Sequence, residues 1–556
     1  MKQSGCKLND LSEKAIGIYE GMNARASLSV YYMLGLFLVG LGYIAIVPVF
    51  EGFDETAHYS SLREIALNHT IPIYGESIID RAIAEYKGPQ SYGTGAPPFD
   101  QGYVYPKFFA DDEAVDRYIE VYRSTPVSDE FSYSGMPNWQ AQHPPLYYLL
   151  LAPVIKLTSN FSMYDQILTL RVLSYLLALI GVYFGMVGAS AFFSNEGHAY
   201  MIGYAFYPIL LPMFFLEFGR IGNDALCLLL SGLAYYVLAL CVKNAFATRY
   251  LVILGVILGL GLLTKALFVP ILAGTVIYIA GNILADKAFD RGLKKSLAAG
   301  STVLVSAVLV GGGWYLYKSV ATGAMSGSDE AIRLAASGGL VQGLSHHFDL
   351  AALLRGMSVW LPTYQWAGTW SLVRLPIYFQ LPSLMLLLAV MLNALVCLRH
   401  RRFSNLLWMS VVIFALFIAG LIWHVFIAMA LGGVPTSPGW YLHTILPWVA
   451  PALGIGLQRL FLKGRVTRLL TIGLLVITFV YQLISTWSLI SLYSACAIKS
   501  PTKQVLFQGD WYCLSDLPQM IDRLSVIASP QLFVAAFVVG YAVYSLAIRK
   551  MAFQAD

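Results

Sequence analysis

The sequence predicts an all-α polytopic membrane protein with about 12 transmembrane helices and a large first outer loop that contains interfacial helices. Of its 556 residues, 58% are hydrophobic and only 12% are charged, about half the charged fraction of a typical soluble domain. The apolar residues form runs of about 15 to 26 residues, joined by short polar segments. This composition excludes a cytosolic enzyme and a disulfide-framed secreted mini-domain. The net charge of +5 is too small to indicate a nucleic-acid partner.

The apolar runs have a consistent orientation. Lys and Arg accumulate at every second joint, and the positive-inside rule places such clusters in the cytoplasm. An even number of spans then places both termini in the cytoplasm, including the N-terminal segment 1–26. We therefore expect a multi-pass protein of the cytoplasmic (inner) membrane. The predicted spans lie near residues 28–50, 168–193, 199–217, 225–242, 250–264, 266–284, 297–317, 377–398, 405–430, 442–461, 469–493 and 531–548.

The largest outer segment, 51–166, follows the first span and is acidic. Its part 51–143 contains 15 Asp and Glu against 6 Lys and Arg. It ends in HPPLYYLLLAPVIKL, whose dozen or so apolar residues are typical of a helix on the membrane surface. The cytoplasmic joints have no Gly-rich phosphate loop, which excludes chemistry on a nucleotide bound there. Other outer segments are expected at 318–376, 432–441 and 494–530. We expect a catalytic transmembrane domain at 27–460, followed by C-terminal helices at 461–556.

Just after the first span, Asp54, Glu55, His58 and Arg63 lie within ten residues of one another. In a helix, Asp54 and His58 share one face, and Glu55 lies on the adjacent part of the helix surface. Carboxylates beside a histidine at the mouth of a span suit general-base chemistry at a membrane surface. The alternative is structural, in which Asp54 or Thr56 caps an interfacial helix and the charges are solvated.

Three more charged residues interrupt apolar runs on the predicted outer side, namely Arg220, Asp224 and Lys265. Ionisable groups at this depth are expensive and indicate functional sites. Arg220 and Asp224 are four residues apart, so the alternative is that they neutralise each other. Lys265 has no partner nearby in the sequence and needs an anion, either from another segment or from a ligand such as a phosphate.

A late pair, Tyr441 and His443, begins a predicted span. Aromatic residues are usual at that position because they anchor helices at the membrane interface, so this pair alone indicates little. The sequence has no HExxH, no cysteine pair at zinc spacing and no G-x-S-x-G motif.

Taken in order, these segments resemble the GT-C glycosyltransferases, and within them the bacterial branch of the aminoarabinose and protein O-mannosyl transferases. The resemblance runs over about residues 28–460, and the ordered set is more specific than any single motif. One departure is that Trp440 stands where relatives often have an Arg. The motifs are Asp54-Glu55 with His58, His143-Pro144-Pro145-Leu146, Arg220 with Asp224, Thr264-Lys265, Gly313-Trp314-Tyr315, and an element from Gly439 to Pro447.

The resemblance implies an outward-facing cavity in which a polyprenyl-phosphate-linked sugar meets a glycan, lipid or protein acceptor among membrane lipids. Asp54, with Glu55 beside it, is the implied general base, and the transfer is implied to invert the anomeric carbon. Some relatives use a divalent metal such as Mg²⁺ or Mn²⁺, which Asp54 and Asp224 could hold, and others use none. The implied donor-phosphate and substrate-binding residues are His58, Arg63, His143, Arg220, Asp224, Lys265, Tyr441 and His443.

Two other functions are compatible with parts of the sequence. A flippase or transporter of lipid-linked oligosaccharides would bind a pyrophosphate without catalysis, but such proteins commonly contain inverted repeats, and none is visible. A polysaccharide polymerase or ligase would typically have its large loop late in the chain, whereas here it follows the first span.

Cys496 and Cys513 bracket about sixteen residues of a predicted outer segment, where an oxidising compartment permits disulfides. We predict a bridge between them. The alternative is two unrelated thiols near the ends of apolar segments.

Overall fold

The protein is built almost entirely from helices, as a computed structural model describes for residues 29–92, 103–192, 199–285, 289–326, 328–399, 401–499 and 510–553. The predicted cytoplasmic segment 1–26 lies outside these residues. In the described part, nine helices are long and apolar enough to cross a membrane. They are Ser29–Ile46, Met163–Phe192, Asp224–Lys243, Gly292–Thr322, Ile377–Val396, Leu407–Ala430, Gly439–Leu462, Arg465–Tyr493 and Pro530–Lys550.

The nine helices coincide with nine of the twelve predicted spans. The other three predicted spans coincide with shorter apolar helices, Tyr200–Leu210, Thr248–Leu262 and Phe268–Leu284. The fourth short apolar helix, Leu146–Leu157, is the segment that the sequence placed on the membrane surface. The polytopic, helical fold class is confirmed, whereas the number of twelve spans stays a prediction.

The first outer segment folds as short helices around a small sheet. Strand Ile78–Asp80 pairs antiparallel with strand Tyr133–Pro137. The apolar periodicity did not predict these strands, because each is at most five residues long. The helical elements are Glu55–Arg63, Glu64–Asn68, Arg81–Ala84, Tyr105–Phe108, Asp112–Tyr118, Ile119–Ser124, Trp139–Gln142 and Leu146–Leu157.

Later outer segments are also helical. Asp329–Ala336, Leu340–His347, Leu350–Ser358 and Trp360–Gln365 precede the span at Ile377, and Asp510–Asp516 and Leu517–Ile527 precede the last. Met213–Phe218, which precedes the span at Asp224, overlaps the end of the predicted span 199–217. The chain between Gln365 and Ile377, called here the connecting segment 366–376, is held by Glu51. Its carboxylate accepts hydrogen bonds from the hydroxyls of Thr369 at 2.9 Å and Ser371 at 2.6 Å.

Helices Met163–Phe192 and Asp224–Lys243 pack closely through glycine. A Cβ atom on Gly232 would lie 2.0 Å from the Gly181 carbonyl oxygen, and one on Gly181 would lie 2.3 Å from the Leu228 carbonyl oxygen. Small residues let membrane helices approach to backbone contact, which maximises van der Waals packing where no hydrophobic driving force acts between helices. This contact fixes Arg171 on one helix relative to Asp224 on the other.

In the structure a disulfide joins Cys496 and Cys513. The Tyr512 hydroxyl donates to the Cys496 carbonyl at 2.7 Å. Lys499, three residues after Cys496, donates from Nζ to the Ser371 carbonyl. The C-terminal outer segment therefore contacts the connecting segment 366–376.

Candidate active site

A cavity of about 270 Å³ lies where the first outer segment meets the membrane helices. Its lining brings together residues from six separate parts of the chain. Seven of the sequence-predicted site residues line it, namely Asp54, His58, His143, Arg220, Asp224, Lys265 and Tyr441.

Asp54 occupies the position before helix Glu55–Arg63, but its side chain makes no capping hydrogen bond. Instead its Oδ1 accepts a hydrogen bond of 2.9 Å from the Trp139 indole nitrogen. In the described part of the chain, no donor contacts Oδ2. Its backbone is left-handed, with φ of 58°, a conformation that costs about 1–3 kcal/mol in a non-glycine residue and often marks functional sites. The capping interpretation of this carboxylate therefore fails.

Glu55, the neighbouring carboxylate, does not line the cavity. It is fully buried and pairs with Arg171, whose Nε and Nη2 donate at 2.7 and 2.6 Å. The same guanidinium donates to the carbonyls of Val47 and Pro48, at the end of the first span. Glu55 thus fastens the start of its helix to helix Met163–Phe192, next in sequence to the cavity-lining Asp54.

Arg220, Asp224 and Lys265 form a buried charge network on the cavity floor. Lys265 Nζ donates to both Asp224 oxygens at 2.8 and 2.9 Å. Arg220 Nη2 donates to Asp224 at 3.1 Å, as the alternative of mutual neutralisation requires. Arg220 also pairs with Glu217 at 2.7 Å and donates to the Phe53 carbonyl at 2.8 Å. Burial opposes the charge on Lys265, but Asp224 holds its pKa above the ordinary value.

His58 and His143 are neutral members of the cavity wall. Their rings lie parallel with centroids 6.3 Å apart, and His58 Nδ1 is 2.8 Å from the Tyr148 hydroxyl. Burial lowers the pKa of His143 to about 3, with Lys265 acting in the same direction. Burial, and then Arg220, lowers the pKa of His58 well below its ordinary value. Both imidazoles can therefore donate or accept hydrogen bonds without carrying charge.

Two other predicted residues lie away from the cavity. Arg63 is fully buried beside Asp80, with Nε 2.6 Å from Oδ2, and it also donates to the Ser128 carbonyl. His443 is buried with both ring nitrogens in contact, Nδ1 with the Tyr207 hydroxyl at 3.0 Å and Nε2 with the Tyr364 carbonyl at 3.2 Å. Both therefore hold structure together rather than face a ligand.

The residues present do not fit a metal bridged by Asp54 and Asp224. Both Asp224 oxygens accept hydrogen bonds from cationic side chains, and a divalent ion placed there would be repelled by Lys265 and Arg220. Within the described ranges, no group of three or more His, Cys, Asp or Glu could hold a metal ion.

Several lining residues were not among the sequence candidates. Gln140 lies just before His143 in NWQAQH, so its closeness to a motif was the one available signal. The others are apolar or aromatic residues that carry no chemical signature of their own. Besides Gln140 these are Phe53, Trp370, Leu372, Pro438 and Trp440.

Comparison with known proteins adds one family match. Residues 142–312 match the model of a family described as dolichyl-phosphate-mannose-protein mannosyltransferase. Among curated proteins, none matches this chain.

Several solved structures are distantly similar. ArnT from Cupriavidus metallidurans bound to undecaprenyl phosphate is 14% identical with a TM-score of 0.41, over 94% of this chain and 78% of that one. Its apo form is 13% identical with a TM-score of 0.42, over 95% and 78%. An oligosaccharyltransferase from Archaeoglobus fulgidus is 13% identical with a TM-score of 0.43, over 90% and 62%.

The matched residues include His143, Arg220, Asp224 and Lys265, four of the residues that line the cavity. The family match covers residues 142–312, and over that part of the chain it agrees with the resemblance that the ordered motifs indicated.

Proposed function

We propose that this protein is a membrane glycosyltransferase of the GT-C type that moves a sugar from a polyprenyl-phosphate donor to a hydroxyl group of a glycan, lipid or protein acceptor, with Asp54 as general base. The observation that carries the proposal is the position of Asp54. Its carboxylate lines the same cavity as Lys265 and Arg220, so a proton acceptor and phosphate-binding cations face one space. The matched family's description, which names a dolichyl-phosphate sugar, supports the donor class.

Asp54 takes the proton of the acceptor hydroxyl. The hydroxyl oxygen attacks the anomeric carbon of the donor sugar, and the bond from that carbon to the phosphate oxygen breaks. The electron pair leaves with the polyprenyl phosphate, so the configuration at the anomeric carbon inverts. Trp139 holds one carboxylate oxygen at 2.9 Å, which orients the other as the base.

Lys265 stabilises the leaving phosphate. An ammonium group has three donors, and the two that bind Asp224 leave one for a ligand. Arg220 is engaged by Glu217, Asp224 and the Phe53 carbonyl, so its main part is to position the backbone before Asp54. Its charge adds to the field that favours developing negative charge on the phosphate.

The two neutral histidines bind hydroxyl groups of the substrates. Because His58 and His143 stay uncharged, they add hydrogen-bonding capacity without repelling Lys265. Tyr441, whose ring centroid lies 4.7 Å from Lys265 Nζ, closes the floor beside them. The excess of Lys and Arg at the opposite ends of the spans supports a site that faces the periplasm or exterior.

The test is to incubate the purified protein with an isotope-labelled pool of polyprenyl-phosphate sugars and membrane acceptors, followed by mass spectrometry of the lipids. We expect labelled sugar on an acceptor and an equal amount of free polyprenyl phosphate. Intact donor that only changes leaflet would instead indicate a transporter and would overturn the proposal.

A further inference from the structure

The wall of the candidate active site includes a tight turn of the connecting segment, called here the wall turn 369–372. Its residues Trp370 and Leu372 line the cavity at Asp54. The Leu372 amide donates to the Thr369 carbonyl at 2.8 Å, and the Leu372 backbone is left-handed, with φ of 49°. A bulky residue keeps this conformation only where the surrounding contacts enforce it. The shape of the cavity wall therefore depends on the groups that hold the turn.

Lys499 of the C-terminal outer segment holds the wall turn at its strained residue. Its Nζ donates to the Ser371 carbonyl at 2.5 Å and to the Leu372 carbonyl at 3.3 Å. These two carbonyls belong to the peptide groups on either side of the Leu372 Cα atom. Because φ and ψ are the rotations that relate two such planar groups, one ammonium group fixes the backbone conformation of Leu372 directly.

Lys499 keeps its charge although it is buried. Only 5% of its surface is exposed, and among the residues that the structure describes it forms no ion pair with a carboxylate. Burial lowers its pKa to about 8, although the Glu51 carboxylate raises it and Arg374 adds to the lowering. The amine is therefore still protonated at neutral pH. A buried ammonium group is costly unless its donors are used, and here they are used on the wall turn.

Glu51 holds the same turn from the side of the first outer segment. The Trp370 amide donates to the Glu51 backbone carbonyl at 3.0 Å. The Ser371 hydroxyl and amide donate to the Glu51 carboxylate at 2.6 and 3.2 Å. Glu51 lies three residues before Asp54, so the wall turn is tied to the part of the chain that carries the proposed base. Glu51 thus engages the donors of the turn, whereas Lys499 engages its carbonyls.

The Cys496–Cys513 disulfide fixes the short segment that carries Lys499. Cys496 lies three residues before Lys499, and its amide donates to the Ser491 carbonyl at 3.1 Å, near the end of helix Arg465–Tyr493. Cys513, the other half of the bridge, is fully buried. A cross-link of this kind restricts the positions that the chain around it can take. The bridge therefore acts on the cavity wall through Lys499.

We propose that Lys499 is a positioning residue for sugar transfer, which sets the cavity wall at Leu372 and is itself held in place by the disulfide. This inference rests on the proposed function, because positioning for transfer presupposes transfer in this cavity. It gives the C-terminal outer segment, which lies outside the family-matched residues 142–312, a part in the reaction.

The first test is single-turnover transfer at saturating donor by the purified full chain and its variants K499M, K499R and K107M. K499M keeps the length of the side chain and removes its donors. We expect its rate of transfer to fall on the order of 10- to 100-fold, because small displacements around a reacting centre have effects of this size. The KM for the donor should change little, since Lys265 still binds the phosphate. K499R can donate to the same carbonyls and should retain most of the rate. The control K107M replaces an exposed lysine of the first outer segment and should behave like the wild type.

The second test is hydrogen exchange measured by mass spectrometry, which requires no substrate. K499M should accelerate exchange in peptides that contain the wall turn 369–372. Peptides from helix Glu55–Arg63 should keep their protection, and the unfolding temperature should stay near that of the wild type. Because this measurement needs no transfer, failure of the proposed function and failure of this inference are measured separately.

The role of the disulfide is tested with the double variant C496A/C513A. Its rate of transfer per folded molecule should fall, and adding K499M to it should cause no further loss, because both changes act through the same contact. Losses that multiply instead would mean that the bridge does not act through Lys499 and would overturn that part of the proposal. K499M that transfers sugar like the wild type, K499R as slow as K499M, or unchanged exchange at the wall turn in K499M would each overturn the role of Lys499.

Discussion

Replacing Glu55 with Gln should destabilise the protein rather than remove a step of its chemistry. Oε1 accepts from Arg171 Nε and the Ile221 amide, and Oε2 accepts from Arg171 Nη2 and the Phe50 amide. A glutamine would place an NH₂ group against N–H donors and leave the Arg171 charge unpaired. Glu55 is 0% exposed and Arg171 is 2% exposed. Removing one partner of a buried ion pair costs about 3–5 kcal/mol. E55Q should therefore lower the free energy of unfolding by about that much.

The assay is thermal unfolding of the purified protein in detergent, read by tryptophan fluorescence, alongside single-turnover transfer by the folded fraction. E113Q is the matched control, since Glu113 forms an exposed pair with Arg117 in the same outer segment, and such pairs contribute about 0–1 kcal/mol. We expect a lower unfolding temperature for E55Q alone, with turnover per folded molecule largely kept. An E55Q protein as stable as the wild type but inactive would refute the reasoning and place Glu55 in the chemistry.

Three further predictions follow from the same contacts. K265A should raise the KM for the donor by about 10-fold or more, because a charge-assisted hydrogen bond to phosphate is lost, while the acceptor KM changes little; equal effects on both would contradict this. His58 and His143 have folded-state pKa values below the unfolded value of about 6.5. The unfolded chain therefore binds more protons below that pH, and the unfolding temperature should fall as pH drops from 6.5 toward 4, less steeply in H143N. The Cys496–Cys513 bridge should contribute about 3 kcal/mol to the free energy of unfolding. In intact cells, neither cysteine should react with maleimide until a reductant is added. Reaction only after permeabilisation would place this loop in the cytoplasm.

The polytopic fold and most of the candidate site could be predicted because their signals are local. Apolar runs and basic joints give the spans, and charges within or beside apolar runs gave Arg220, Asp224 and Lys265. Asp54 and His58 were found because an i, i+4 pair on a helix shares one face. All of these residues line the cavity.

The roles of neighbouring residues could not be predicted, because they depend on contacts between distant segments. Glu55 lies one position from Asp54, yet its partner Arg171 is 116 residues away. Trp139, which holds Asp54, and Glu51, which fastens the connecting segment 366–376, also act across long sequence separations. Nothing in a linear pattern distinguishes a carboxylate that faces a cavity from one that is paired in the core.

The most direct test of the central claim is single-turnover transfer by D54N with a labelled polyprenyl-phosphate sugar. The change removes the proton acceptor and keeps the size of the side chain and the hydrogen bond from Trp139 to Oδ1. We predict that the rate of transfer falls by about 10² or more while donor binding and the unfolding temperature stay near those of the wild type. Wild-type turnover by D54N would contradict the assignment of Asp54 as the base.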